Sequence, residues 1–76
     1  MSPRPRRNVS LVRVLTILRQ FEGGRRLTMQ GCATAFQVHP RTIRRDFELL
    51  EEVGVPLTHQ HEYHGGHEIA IWWMAR

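Results

Sequence analysis

Apolar residues recur at helical spacing three times along the chain, and then the period changes. Leu11, Val14, Leu15, Leu18 and Phe21 make the first series, with Arg13, Arg19 and Gln20 on the outer side of the predicted helix. Asn8 or Ser10 can cap its start, and Gly23-Gly24 ends it. Arg25-Arg26-Leu27 reads as an extended connector with room for one brief strand. Thr28 then suits the N-cap of a second helix, in which Met29, Cys32, Ala33 and Phe36 fall at i, i+3, i+4, i+7. Gly31 costs that short helix about 1 kcal/mol relative to Ala, so tertiary packing must hold it.

The third series is the most sharply marked. Pro40 suits the first helical position, where a missing N–H costs nothing. Gly54 suits the left-handed residue past the end, and Pro56 prevents resumption. Ile43, Phe47 and Leu50 form the apolar stripe, widened by Leu49 and Val53, while Arg41, Arg44, Arg45 and Glu48 share the opposite face. Helix-dipole electrostatics favours acids first and bases last. Here three arginines come early and Glu51 and Glu52 come late, so helix stability did not select the order. A polyanionic partner accounts for it.

After Gly54 the period is 2. Leu57 to Tyr63 and His67 to Trp73 each suit a strand, and Gly65-Gly66 between them marks a hairpin turn. A two-residue and a three-residue loop bury opposite parities. With three residues, His64 to Gly66, the face carrying Leu57, Ile69, Ile71 and Trp73 would form the core side, and that face is the more apolar.

Length and charge narrow the partner. Seventy-six residues make one small domain, able to bury only about 60% of its unfolded surface. Residues 1–8 read as a flexible basic arm and residues 9–76 as the folded unit. The formal charge is +4, and every basic residue is Arg. Residues 1–26 hold seven Arg against one Glu, and the remainder four Arg against six acids, a basic arm on a near-neutral body. The lone Cys32 has no disulfide partner and sits on an apolar stripe, which fits a buried hydrophobe in a reducing compartment. No run reaches the ~18 apolar residues of a membrane span. Arg13 also interrupts the N-terminal apolar stretch, and no small-residue cleavage site follows. The expected location is the cytoplasm.

Residues 11–57 carry a resemblance. Leu11 to Leu18, Gly24-Arg25-Arg26-Leu27-Thr28, the run Arg41-Thr42-Ile43-Arg44-Arg45-Asp46-Phe47-Glu48-Leu49-Leu50 and Gly54-Val55-Pro56-Leu57 resemble the N-terminal DNA-binding domains of bacterial DeoR-type and WYL-type transcriptional regulators. The Arg-Thr-Ile-x-Arg-Asp run is the most specific part, and the likeness spans about two-thirds of the chain. It implies an α+β fold, the winged helix-turn-helix: three helices and a two- to three-stranded antiparallel β-hairpin wing. It also implies sequence-specific binding of double-stranded DNA by a transcriptional regulator, a repressor, with helix 40–53 in the major groove. By position, Arg41, Thr42 and Arg44 would face bases and Arg45 a phosphate, while Asp46 matches an acidic residue with a structural role. His39 and Thr28 at helix starts, Arg4, Arg6 and Arg7 in the arm, and His61 and His64 in the wing complete the expected DNA-binding set. A module this size covers one half-site, which points to a homodimer.

The chain departs from the family pattern at Gln37, where Gly is usual, at His39-Pro40, where Ser leads, and at Gln30-Gly31-Cys32, where acids and Leu are usual. Family members also continue into a sensing domain, so this chain is either an excised domain or a stand-alone regulator lacking an effector domain or its partner protein.

Other chemistry is outweighed. His59 and His61 share a strand face, and a three-residue loop would add His67 in a geometry able to hold Zn²⁺. Without Cys, and at an exposed tip, the histidines are better read as polar wing residues. Because His titrates near neutrality, a wing without Arg or Lys would also gain positive charge in acid. No metal or other cofactor is expected. Gly23-Gly24 and Gly65-Gly66 lack phosphate-loop spacing, and the domain is too small for a deep pocket, so no enzyme is expected. Trp72 and Trp73 cannot both face the core of a regular strand. The alternative function is therefore a protein-interaction or oligomerisation module using that surface.

Overall fold

The computed structural model describes residues 9–75. Its elements run α1 (Val9–Glu22), α2 (Met29–Phe36), α3 (Pro40–Glu52), β1 (Leu57–His64) and β2 (His67–Met74). The helices enclose a core of Val14, Ile17, Phe21, Cys32, Ala33, Ile43, Phe47 and Leu50, against which Leu27, Leu57, Trp72 and Met74 close from the strand side. Three helices and an antiparallel hairpin in this order make a winged helix-turn-helix.

Local chemistry places the helix ends. Thr28 Oγ1 accepts from Gly31 N–H at 2.9 Å and caps α2. A Cβ at Gly31 would stand 2.9 Å from that same hydroxyl oxygen. The glycine therefore offsets its intrinsic cost by letting the cap close. Gln37 ends α2 in the left-handed region (φ 56°), and Val38 N–H reaches Ala33 O at 3.0 Å. This is a C-terminal cap built on a non-glycine residue. Left-handed backbone costs an L side chain about 1–2 kcal/mol. Gln37→Gly is accordingly expected to stabilise the domain by up to about 1 kcal/mol and raise Tm by several degrees in a thermal melt, glycine's added unfolded-state entropy offsetting the rest. An unchanged or lower Tm would show that the Gln37 side chain contributes more than its backbone costs.

The inward face of α1 is rotated from the predicted stripe: Val14, Leu18 and Phe21 stay on the core side, but Leu11 and Leu15 do not. Ile17 and Phe21 are fully buried, whereas Leu11 and Leu15 are 53% and 49% exposed. Arg13, expected on the outer side, is buried against Asp46 of α3. The physical reason is the ion pair: an arginine that finds a carboxylate inside can occupy a core-facing position that apolar periodicity assigns to a hydrophobe.

The wing also differs from expectation. Its loop has two residues, Gly65-Gly66, with His64 paired to His67. Both glycines have positive φ (59° and 81°), the backbone a tight type I′ hairpin turn requires. Register then sets Leu57 opposite Met74 and His59 opposite Trp72. Leu57, Trp72 and Met74 pack on the core. Ile69, Ile71 and Trp73 lie on the other face, reversing the parity expected from a three-residue loop. Leu27 bridges to Trp72 through backbone bonds of 2.8 and 2.7 Å, so the connector does add a one-residue strand to the sheet.

Candidate nucleic-acid interface

The interface begins with the way α3 is held. Ile43, Phe47 and Leu50 are buried, and the Phe47 ring meets Phe21 of α1 and Trp72 of β2, each at 5.3 Å between centroids. Next to this aromatic joint, Arg13 Nε and Nη2 both donate to the Asp46 carboxylate, the latter at 3.0 Å. The hydrogen bond to Asp46 raises the Arg13 guanidinium above its ordinary value, with the Asp46 charge adding to it and desolvation opposing. Burial, with the Asp46 charge adding, pushes the Cys32 thiol up, so it stays protonated and inert. The helix α3 is thus clamped from behind by apolar contacts and one buried ion pair.

Its outward face follows by helical geometry. Arg41, Arg45 and Glu48 lie roughly half a turn from the buried stripe and are exposed. Arg44 lies on the wing-side flank, where it lines a groove with His59, His61, Glu48, Glu51 and Trp72. Thr42 lies on the opposite flank, half-buried beside Ser10, Arg13 and Asp46. Arg44 Nε stands 3.7 Å from Glu48 Oε2, with side chains 70% and 60% exposed. Such an exposed pair contributes at most about 0.5 kcal/mol, so it leaves Arg44 available to another partner.

His39 occupies the N-cap of α3, its Nδ1 accepting from Arg41 N–H at 3.0 Å. A ring nitrogen that accepts leaves the proton on Nε2, so the outer edge of this exposed ring is a donor. Thr28 is committed to its cap. His61 Nδ1 lies 3.5 Å from Glu68, and His64 Nε2 lies 3.0 Å from Glu62. His59 stacks on Trp72 at 4.2 Å. The two-residue loop places His64 and His67 on one face of the wing and His59 and His61 on the other, so the three-histidine zinc geometry is not formed. Among the described residues no cluster of His, Cys, Asp and Glu could hold a metal ion. Arg4, Arg6 and Arg7 lie outside the described residues.

The two tryptophans separate as strand alternation requires. Trp72 packs inward on Phe47, and its Nε1 is buried without a hydrogen-bond partner among the described residues. Trp73 lies on the outer face with the Arg26 guanidinium 4.4 Å above its ring. Trp72 is therefore not part of an exposed docking surface. No described helix is long and apolar enough to cross a membrane.

The sequence pattern pointed to the α3 arginines, their shared face and the wing. It missed the burial of Arg13, which reads as a surface residue, and the stacking of His59 on Trp72, which depends on the wing register. Asp46 carried a signal: an acid beside the apolar stripe, one turn from nothing basic on its own side, needs a partner elsewhere.

Comparison with known proteins agrees with this geometry. Among curated proteins none has a sequence matching this chain. The chain is similar in structure to a protein described as a possible transcriptional regulator from Methanosarcina mazei Go1, with TM-score 0.61 and 15% identity over 92% of this chain and 57% of that one. This likeness is one of fold, and the chain spans little more than half of that protein's length. The sequence model of the DeoR-like helix-turn-helix domain matches residues 13–70, from within α1 to the middle of β2. By that match the chain belongs to the DeoR-like helix-turn-helix family of DNA-binding domains.

Proposed function

We propose that this domain binds double-stranded DNA sequence-specifically with α3 in the major groove, acts as a homodimer on paired half-sites, and represses transcription from the operator it occupies. The observation that carries the reading is the exposed guanidinium face of α3, held rigidly from behind by Phe47 and the Arg13–Asp46 pair. Arg41 and Arg44 read base edges, with Thr42 at the rim of the groove, while Arg45 and the His39 Nε2–H take phosphates. Arg4, Arg6 and Arg7 add phosphate contacts ahead of α1, and His61 adds them from the wing. Thr28 and His64 sit at the margins of this surface, one closing a helix cap and the other paired with Glu62.

Binding to duplexes enriched from a random pool tests this. Arg44→Ala is expected to cost about 1–3 kcal/mol and relax the preference at one position, whereas Arg45→Ala weakens all sequences alike and lowers the salt slope by about 1. Both side chains are exposed, so circular dichroism should remain unchanged. Salt-independent binding, or full affinity in Arg44→Ala, would overturn the reading. A reporter that rises with the domain present would contradict repression, and a monomer on paired half-sites would contradict the dimer.

A further inference from the structure

We infer that Glu48 is a base-reading residue of α3 that selects cytosine and turns away guanine and thymine at one position of the half-site. This rests on the DNA-binding reading above.

Glu48 is the single acid on the outward face within one turn of the arginines, lying in line with Arg41 and Arg45. Its ion pair with Arg44 does not explain it. In an isolated helix the favourable order puts the acid N-terminal to the base, and here Arg44 precedes Glu48. The helix dipole also disfavours an arginine early and a glutamate late. At 3.7 Å the pair is beyond hydrogen-bond reach, and both side chains are largely in solvent, so it opens at little cost. Burial does not explain the residue either, with its side chain 60% exposed. An acid in that place weakens attraction to phosphates, a cost that base selection offsets.

The chemistry of the major groove assigns the base. A carboxylate only accepts hydrogen bonds. Cytosine presents its N4 amino donor there, guanine presents the acceptors N7 and O6, and thymine presents O4. Adenine offers one donor beside an acceptor, which places it between. Four residues advance α3 by about 6 Å, roughly two base-pair steps at 3.4 Å each. The cytosine read by Glu48 therefore lies within about two steps of the base read by Arg44. The negative charge repels the wrong bases as well as accepting from the right one, so it supplies selectivity in both directions.

Binding-site selection from a randomised duplex pool, run on the wild-type domain, Glu48→Gln and Glu48→Ala, decides the matter. The wild type should enrich cytosine at one position, with about tenfold preference over guanine in direct titration. Glu48→Gln should move that position toward adenine, which a carboxamide matches bidentately, and Glu48→Ala should flatten it while tightening binding to unrelated duplex. All other positions should keep their preference. Thermal melts separate this from a helix-stabilising role, which would lower Tm and leave the selected site unchanged. Identical selected sites in all three proteins would overturn the Glu48 inference alone. Failure of the wild type to enrich any site would overturn the DNA-binding reading and this inference with it.

Discussion

Arg13→Ala is expected to lower Tm by at least about 15 °C and to abolish DNA binding in parallel. The change leaves the Asp46 carboxylate buried without its counter-ion, and breaking a buried pair this way costs about 3–5 kcal/mol. A domain of this size has total stability on the order of 4–11 kcal/mol, so the loss is a large share of it. The pair connects residues 33 positions apart and joins α1 to α3, so its loss also frees the angle at which α3 is presented. Asp46→Ala should be equally damaging. The double variant Arg13→Met/Asp46→Leu should recover most of the Tm, because replacing both charges with apolar groups removes the desolvation penalty along with the attraction. Single variants that melt within a few degrees of wild type would show that the pair does not anchor the fold. The pH dependence has a definite sign. Because the folded state raises the Arg13 value, its contribution is complete below the unfolded value and is lost only as pH rises through the folded one, in strong alkali. Arg13 therefore adds no pH dependence to stability across the neutral range.

Phe47→Ala should cost about 3–5 kcal/mol, the usual range for emptying a buried phenyl site. Phe47 is fully buried and is the one ring that touches both Phe21 and Trp72, so it couples α1, α3 and the wing. Besides a lower Tm, tryptophan fluorescence should shift to the red as Trp72 loses its inner neighbour. The control is Leu49→Ala on the same helix. Leu49 is 46% exposed despite lying beside the apolar stripe, and its removal should change stability by less than about 0.5 kcal/mol. Equal losses in the two variants would mean that the inward face of α3 is misassigned. Together the Arg13 and Phe47 variants separate two ways of holding one helix, an ion pair on one flank and aromatic packing on the other.

Much of this arrangement is legible in the residue order because its causes are local. Pro40, Gly54 and Pro56 bracket α3, and Thr28 and His39 each satisfy a backbone N–H at a helix start. Ile43, Phe47 and Leu50 repeat at the helical period, and the hairpin sits where the period changes to 2. Each of these depends on residues a few positions apart, so propensity, capping and spacing are enough to specify them.

What sequence order left open depends on partners distant in the chain. A charged residue is counted as outward until its partner is known, which is why Arg13 turns inward, and Leu11 and Leu15 outward, once Asp46 is in place. Wing parity turned on whether His64 joins the loop or the ladder. Two adjacent left-handed glycines favour the tight turn, and the shift of one residue moves Trp72 inward and Trp73 outward. By itself, then, the sequence determined three helices, a wing and the early clustering of Arg41, Arg44 and Arg45 on α3, since short-range periodicity and end signals specify elements one at a time. Only the tertiary structure decided which faces meet. A buried ion pair and a strand register are settled by the free energy of contacts between segments far apart in sequence, and no local pattern contains that quantity.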